Sequence, residues 1–450
     1  MSAMTTNDPT LAFMDQASFL WVRASGHVHG IQLTWVYRRE IDLDRLRAVH
    51  DNLAHGLLGR RVEPTRVLGG RHRWVTDHSL PGIDVDAPRT RDGIAAWFSE
   101  RAQLPIDPEH GPVWHLGVLP VTDYGTAVTL VASHTVVDGV GLCGAVTDAI
   151  TGVRHDYGFP PPGARTRRQA LAEDIRQMVR GLPQVGRALA AAVSVGVKNK
   201  PGGSKAAAPK PPKLTRAQRK QPVVVPTATI YIDLAQWDAR AADLGGSSNA
   251  LLAGFAARLG ERYRRIDPVT HRVQLNYPVN DRGEDDLRAN ALKGMDFTVD
   301  PAGVTENLAD VRATIKQALI SGAGQFAEQE KVFPLTPFVP TKVVAKLPLG
   351  AVNAAGAPVG CSAFGDIDPV VARIDGADAD YFTVRMVEQN LTAGSPEISS
   401  GELYMTAGRI CDKLFISFRA YQPGLFTTKE QLLEQVSRVL DDFGLTAFIE

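Results

Sequence analysis

The stretch TAVTLVASHTVVDGVGLCG, residues 126–144, decides how this chain folds. Residues 126–132 form an apolar run that predicts a buried β-strand, and His134 follows that strand almost at once. Asp138 comes four residues later, and glycines at 139, 141 and 144 open the next predicted helix. The end of a buried strand is a rigid platform on which a functional side chain can be held. His134 and Asp138 are therefore the first candidates for functional residues.

Strand and helix patterns alternate on both sides of this stretch. In the first half, residues 30–37 alternate like a strand and residues 42–58 predict a helix. In the second half, residues 249–264 predict a helix, and residues 271–277 and 413–421 predict strands. The last helix starts at a capping box formed by Thr427 and Glu430. Two similar halves of interleaved strands and helices, over 450 residues, indicate a pair of α/β subdomains.

A basic segment separates the two halves. Residues 198–220 contain eight Lys or Arg, no acidic residue and four prolines, which predicts an exposed connector. We therefore expect an N-terminal subdomain at 1–165, a linking region at 166–225 and a C-terminal subdomain at 226–450.

A basic amphipathic helix is predicted just before the connector, over residues 165–187. Its apolar residues recur at helical spacing, and arginines occupy the remaining faces. The apolar residues are Leu171, Ile175, Met178 and Leu182. Two interpretations stay open: the helix packs across a domain surface, or it faces a membrane or lipid droplet.

The composition excludes several classes of protein. Lys plus Arg and Asp plus Glu both number 49, so no net positive charge favours nucleic acid. The three cysteines, Cys143, Cys361 and Cys411, are too few and too far apart for a disulfide framework or a zinc site. The chain begins without a signal-peptide pattern and has no apolar stretch of about 20 residues. We expect a cytoplasmic protein, either free or peripheral to a membrane, without a bound metal.

The residues His134, Asp138 and Gly139 resemble the His-His-x-x-x-Asp-Gly motif of the condensation-domain and acyltransferase superfamily, which shares the chloramphenicol acetyltransferase fold. Further segments, in chain order, resemble the wax ester synthase/diacylglycerol acyltransferase family. They are MDQASFL at 14–20, LPID at 104–107, PVW at 112–114, PVNDR at 278–282 with Asn290, and SAFGD at 362–366. The resemblance implies an α/β fold in which two chloramphenicol-acetyltransferase-like subdomains form a pseudo-dimer with a tunnel at their interface.

The resemblance also implies a mechanism without a covalent acyl-enzyme. His134 deprotonates the acceptor hydroxyl, the alkoxide attacks the acyl thioester, and coenzyme A leaves as a thiolate that the imidazolium protonates. A side chain with an ordinary pKa of about 6.5 suits both proton transfers. Asp138 would be structural, paired with Arg282 from the second half through a directional Arg–carboxylate fork. The coenzyme A thioester is a co-substrate, and no bound cofactor is expected.

Two positions depart from the family pattern. Ser133 stands where the family has its first histidine, and Ala289 stands where it has a glycine before Asn290. Ser133 is predicted either to donate a hydrogen bond to the developing oxyanion or to be a small residue that fits a strand end. Asn249, Asn290 and Ser362 are candidate substrate-binding or structural positions. 

The favoured function is O-acyl transfer from acyl-CoA to a lipophilic alcohol, such as a diacylglycerol or a long-chain alcohol. A condensation-type or tailoring acyltransferase, with an acyl carrier protein as donor, is the alternative enzyme. A catalytically inactive scaffold that binds lipid or a partner is the third hypothesis. The glycine spacing at 139–144 also matches a dinucleotide fingerprint, but no acidic residue ends a strand about 20 residues later. No Gly-x-Ser-x-Gly elbow of a serine hydrolase is present.

Overall fold

The computed structural model describes residues 8–77, 79–198, 214–283, 286–340 and 358–450. The helices are α1 Phe13–Ser25, α2 Leu43–Leu53, α3 Ile94–Ala102, α4 Gly139–Thr151, α5 Arg167–Lys198, α6 Arg216–Arg219, α7 Leu234–Asp243, α8 Ser248–Arg262, α9 Ala309–Glu330, α10 Pro396–Ser400 and α11 Lys429–Phe443. The strands are β1 Val28–Tyr37, β2 Arg60–Glu63, β3 Arg73–Thr76, β4 Ile83–Val85, β5 Trp114–Val121, β6 Gly125–Ser133, β7 Thr227–Asp233, β8 Val273–Asn280, β9 Leu292–Val299, β10 Val359–Asp366, β11 Tyr381–Gln389, β12 Glu402–Ile410, β13 Lys413–Tyr421 and β14 Phe448–Ile449.

The first half is built on a five-stranded sheet with the order β11-β1-β6-β5-β4. Strand β1 is buried along its whole length because it is flanked on both sides and covered on both faces. In its antiparallel pairing with β6, Gly30 lies opposite Ser133, so β6 ends beside the start of β1 and His134 follows there. The predicted strand at 126–132 is thus confirmed, with one more residue at each end.

The second half is built on a seven-stranded sheet with the order β14-β7-β13-β12-β10-β8-β9. Buried residues of α8 and α11, with Phe255 and Phe443 stacked on each other, pack with the sheet residues into one apolar core. The last helix begins one residue later than the capping box predicted, because the cap is Thr428 with Gln431 as its partner.

The two halves exchange main-chain and side-chain contacts. Strand β11 belongs to the second half of the sequence but pairs with β1, and so completes the first sheet. The indole of Trp35 donates to the carbonyl of Val371 at 2.7 Å, and Tyr231 and Thr383 share a hydrogen bond of 2.5 Å between their hydroxyls. The division at residues 165 and 226 stays a prediction, and residues 381–389 pack with the first half.

The basic helix differs from the expectation in its length and orientation. It runs to residue 198 rather than 187. The helix does pack across the surface of the first half, for example through the ion pair of Glu173 with Arg73, but Leu171, Ile175 and Leu182 are about half exposed while Asp174 and Ala188 are buried. Three of the four apolar residues of the predicted stripe therefore lie on the outward side of the helix, and Met178 is half-buried. Most of the predicted connector, residues 199–213, lies outside the described residues.

Candidate active site

His134 occupies the first position of the turn between β6 and α4. Its N–H donates to the carbonyl of His29 at 2.9 Å, and its carbonyl accepts from the side-chain amide of Asn290 at 3.2 Å. Burial lowers the pKa of its imidazole below the ordinary value of 6.5, while the Asp138 carboxylate, the main chain of His134 and Asn290 act in the opposite direction. A lowered pKa leaves the imidazole neutral at neutral pH, and a neutral imidazole can accept a proton.

The carboxylate of Asp138 is buried and accepts three hydrogen bonds. It caps α4, because its Oδ1 accepts from the N–H of Gly141 at 2.7 Å. Its Oδ2 accepts from the guanidinium of Arg282 at 2.7 Å and from the N–H of Ala291 at 2.9 Å. A carboxylate with three donors at these distances holds the loop in place.

Arg282 is the partner that the resemblance implied for Asp138, and it reaches across from the end of β8. The same guanidinium also donates to the carbonyls of Asp286 at 2.8 Å and Ala289 at 3.1 Å. A Cβ added at Gly141 would stand 3.2 Å from the Arg282 guanidinium carbon. The glycine in the first turn of α4 therefore lets the arginine lie directly against the helix.

Two buried residues that the sequence did not single out hold the same loop. Asp15, in the first turn of α1, accepts from the N–H groups of Ala289 at 2.9 Å and Asn290 at 2.8 Å. Arg60, at the start of β2, donates to the carbonyls of Leu287 at 2.6 Å and Val136 at 2.9 Å. The turn that carries His134 and the loop at 287–291 are thus fastened together from both halves of the chain.

The charged side chains of Asp15 and Arg60 are both fully buried. Burial raises the pKa of Asp15, whereas the hydrogen bond from the Ala289 N–H and the charge of Arg60 both lower it. Burial lowers the pKa of Arg60 to about 10, and the Asp15 charge opposes that shift most strongly. The guanidinium also lies 4.0 Å from the ring centroid of Trp74, a favourable cation–π distance. The MDQASFL segment at 14–20 was a signal for Asp15, whereas no motif pointed to Arg60.

The two departures from the family pattern fit their surroundings. Ser133 is fully buried, and its Oγ accepts from the N–H of Thr135 at 3.3 Å, which closes the turn locally. Ala289 is also fully buried, and its backbone is not among those with a positive φ. Glycine is required only where φ is positive or space is lacking. An alanine is therefore accommodated at position 289.

Gly139 is required by close packing. A Cβ at this position would stand 2.4 Å from the ring of Phe364 on β10, so the second half presses directly on the first residue of α4. Ser362, two residues earlier on β10, shares a 2.6 Å hydrogen bond with the hydroxyl of Tyr404. Asn249 lies exposed in the first turn of α8, where its Oδ1 accepts from Tyr277 at 3.4 Å. The contacts of Ser362 and Asn249 do not join them to His134.

No protein family model and no curated protein matches this sequence. Solved structures do match along nearly the whole chain. Polyketide synthase associated protein 5 from Mycobacterium tuberculosis is 17% identical, with a TM-score of 0.55 over 97% of both chains. The starter condensation domain of rhizomide synthetase, solved in complex with C8-CoA, is 16% identical, with a TM-score of 0.53 over 98% of this chain and 94% of that one.

The epimerization domain from the third module of tyrocidine synthetase B is 14% identical, with a TM-score of 0.51 over 98% of both chains. These likenesses confirm the predicted α/β fold of two chloramphenicol-acetyltransferase-like subdomains arranged as a pseudo-dimer. A shared fold does not specify a reaction, which is decided by the residues of the site.

Proposed function

We propose that this protein is an O-acyltransferase that moves a fatty acyl group from acyl-CoA to a lipophilic alcohol, with His134 as general base. The observation that carries the proposal is the position of His134: a base with a lowered pKa, on a turn fastened by residues of both subdomains. Membership of the wax ester synthase/diacylglycerol acyltransferase family is part of the proposal and rests on the sequence segments quoted above.

The proposed reaction has no covalent acyl-enzyme. The imidazole of His134 takes the proton of the acceptor hydroxyl, and the oxygen attacks the thioester carbonyl carbon. The tetrahedral intermediate collapses with cleavage of the C–S bond, and the imidazolium returns the proton to the coenzyme A thiolate. The donor and the acceptor meet at the junction of the two subdomains, where the thioester is shielded from water, and this favours transfer over hydrolysis.

The other residues of the site are proposed to position His134. Asp138 and Arg282 hold the end of the turn, Asn290 holds the carbonyl of His134, and Gly139 makes room for Phe364. Ser133 supports the turn, because its buried Oγ accepts from the N–H of Thr135; that bond leaves the O–H free to donate, so the role of oxyanion donor stays a prediction.

Helix α5 supports a lipophilic substrate and contact with a membrane. Its exposed stripe consists of Leu171, Ile175, Val179, Leu182 and Leu189, each between 42% and 55% exposed. The acidic residues of the helix are paired with arginines of the protein body, Glu173 with Arg73 and Asp174 with Arg165. The outward charge of α5 is therefore positive, and a basic helix with an apolar stripe suits an anionic lipid surface. Among the described residues, no helix is long and apolar enough to cross a bilayer.

A carrier-bound acyl donor is the second candidate, and the likeness to condensation domains favours it. The condensation domain solved with C8-CoA shows that an acyl-CoA is one ligand of that protein. The two donors present the same thioester to His134, so the proposed chemistry is unchanged and only the entrance for the donor differs.

The deciding experiment measures thiol release from palmitoyl-CoA with a panel of alcohols, for the wild type and His134→Ala. A positioned general base accounts for roughly 10²–10⁴ in rate, so we expect acceptor-dependent release that falls by that factor in the variant. The matched control is His155→Ala, which removes a surface imidazole paired with Asp148 and should leave the rate unchanged.

Each other outcome has a separate meaning. Equal rates for the wild type and His134→Ala would show that His134 is not the base. Release only from a palmitoylated acyl carrier protein would establish the second candidate. Failure with both donors, while the chain still binds phosphatidylserine vesicles or the alcohols, would support the inactive scaffold.

A further inference from the structure

A cavity of about 460 Å³ lies under helix α5. Its walls come from segments that are distant in sequence: the chain around Phe13, the loop at 69–73, the inner face of α5, and residues 334–338 of the second half. A volume of this size lies within the range of small-molecule sites, roughly 300–1,000 Å³. None of the described lining residues belongs to the turn that carries His134, so the cavity is separate from the candidate active site.

The inner face of α5 is fastened over this cavity by contacts with the first half of the chain. The carboxylate of Asp174 accepts from the Thr65 hydroxyl at 2.7 Å and pairs with Arg165 at 2.8 Å. The side-chain amide of Gln177 donates to the hydroxyl of Thr10 at 2.6 Å. The space beneath α5 is therefore bounded by elements that are held in place.

Four arginines line the cavity, and they differ in how far their charges are already paired. Arg73 pairs with Glu173 at 3.0 Å. Arg71 donates to a main-chain carbonyl, and its Nε is buried without a hydrogen-bond partner among the described residues. Arg176 and Arg180 make no ion pair within the part of the chain that the structure describes. The cavity therefore holds guanidinium groups whose charge is not used by the protein itself.

The acidic residues that line the cavity do not cancel this charge. Glu173 and Asp174 are also bound to Arg165, which lies outside the lining. Asp8 is exposed, and its Oδ1 accepts from a main-chain N–H at 3.0 Å. The two arginines of α5 without an ion pair are one helical turn apart, where like charges repel each other. An anion with several acceptor oxygens would relieve that repulsion, and phosphate matches the guanidinium group best.

The surface around the cavity is apolar as well as basic. Leu68 is 87% exposed, and Gly69 beside it packs so closely on Phe338 that an added Cβ would collide with the ring. Phe338 and Met14 are each 37% exposed. Arg66 is exposed on the same loop as Leu68. Apolar side chains beside cations suit the surface of an anionic membrane better than a soluble anion.

The exposed stripe of α5 and the cavity lie on different sides of the same helix. At about 100° per residue, Arg176 and Arg180 lie roughly 110–150° around the helix from the stripe, on the flank that leads to the cavity. A helix that lies on a membrane with its stripe in the acyl region places its flanks among the lipid headgroups. The two arginines are therefore at the right depth for lipid phosphate.

We propose that the cavity under α5 binds the phosphate group of an anionic membrane lipid, held by Arg71, Arg176 and Arg180. A phosphomonoester such as the headgroup of phosphatidic acid fits best, because it carries more than one negative charge and no substituent that would have to enter the cavity. The apolar side chains around the cavity would contact the acyl region of the same lipid layer. This proposal deepens the proposed function by naming a lipid class, and it rests on the membrane contact of α5 proposed there.

The test measures cosedimentation with phosphatidylcholine vesicles that contain either phosphatidic acid or phosphatidylserine, matched for zeta potential. We expect the wild type to prefer phosphatidic acid by roughly ten-fold in Kd, the effect of one charge-assisted hydrogen bond. In the double variant Arg176→Gln/Arg180→Gln this preference should fall to about one. The matched control Arg167→Gln/Arg168→Gln removes the same charge from α5 outside the lining, so it should weaken binding to both vesicles alike and keep the preference.

A second pair of variants fills the cavity without changing its charge. Gly181 lines the cavity, and a Cβ at this position would meet nothing within 4 Å, so the side chain of Gly181→Leu can extend into the space. Gly186→Leu adds the same side chain to α5 outside the lining, where a Cβ also meets nothing within 4 Å. We expect the preference for phosphatidic acid to be lost in Gly181→Leu and kept in Gly186→Leu.

Three outcomes would overturn the proposal. They are equal binding of the wild type to both vesicles, a preference that survives Arg176→Gln/Arg180→Gln, and an equal loss of preference in Arg167→Gln/Arg168→Gln. Displacement from phosphatidic acid vesicles by inorganic phosphate or coenzyme A, but not by chloride at the same ionic strength, would assign the cavity to a soluble phosphate instead of a lipid. These measurements need no turnover, so their result stands whether or not thiol release from palmitoyl-CoA is observed.

Discussion

Arg282→Ala leaves the Asp138 carboxylate buried without its cation. The carboxylate keeps two main-chain donors, Gly141 and Ala291, while the carbonyl of Asp286 loses the guanidinium and that of Ala289 keeps only the N–H of Asp138. Removing one partner of a buried, hydrogen-bonded ion pair costs about 3–5 kcal/mol. The pair is almost completely buried, with side-chain exposures of 12% for Arg282 and 1% for Asp138, so we expect the full effect.

The assay is urea unfolding followed by tryptophan fluorescence, with thiol release measured on the same samples. Asp138→Asn in the Arg282→Ala background should recover part of the loss, because a neutral amide does not need the cation. Arg438→Ala is the matched control, since its ion pair with Glu434 is more than half exposed on both sides. Surface pairs of this kind contribute little to stability.

The reasoning is refuted if Arg282→Ala unfolds within about 1 kcal/mol of the wild type, or if Arg438→Ala is equally destabilised. A stable Arg282→Ala protein that has lost only activity would give Arg282 a direct part in the reaction. A destabilised protein without recovery in the double variant would show that the lost carbonyl contacts, rather than the stranded charge, dominate.

Three further predictions follow from single contacts. Gly139→Ala places a Cβ against the Phe364 ring, so it should lower the free energy of unfolding in urea by about 1–3 kcal/mol. Adding Phe364→Leu should recover part of that loss, and additive effects of the two changes would contradict the contact. Burial lowers the pKa of His115 to about 4. As the pH falls from 6.5 to 4, His115 is therefore protonated in the unfolded chain but not in the folded chain, which destabilises the fold. His115→Gln should remove ~3 kcal/mol of this acid destabilisation over that pH range and none above it. The double variant Ile175→Asp/Leu182→Asp should abolish cosedimentation with phosphatidylserine vesicles, whereas binding to neutral vesicles should be weak from the start. Undiminished binding of the double variant to phosphatidylserine vesicles would show that the α5 stripe is not the contact.

Local sequence determined the elements that carry the site. The apolar run at 126–132 encodes a buried strand, and the glycines after Asp138 encode a helix start that a carboxylate can cap. His134 and Asp138 could be named because they lie four residues apart directly after a predicted buried strand, and Gly139 and Arg282 because the family resemblance adds them. Boundaries were less certain: adjacent threonines at 427 and 428 both suit a cap, and the fold uses the second.

Only the tertiary structure decided which distant groups meet at that site. Asp15 binds the main chain of a residue 274 positions away, and Arg60 binds a carbonyl 227 positions away. His29 meets Glu388 because β11 leaves its own half and pairs with β1. Hydrophobic periodicity specifies which face of an element is apolar, but not which element will cover it. For the same reason, the apolar stripe of α5 was visible in the sequence, and its outward direction became known only from the packed chain.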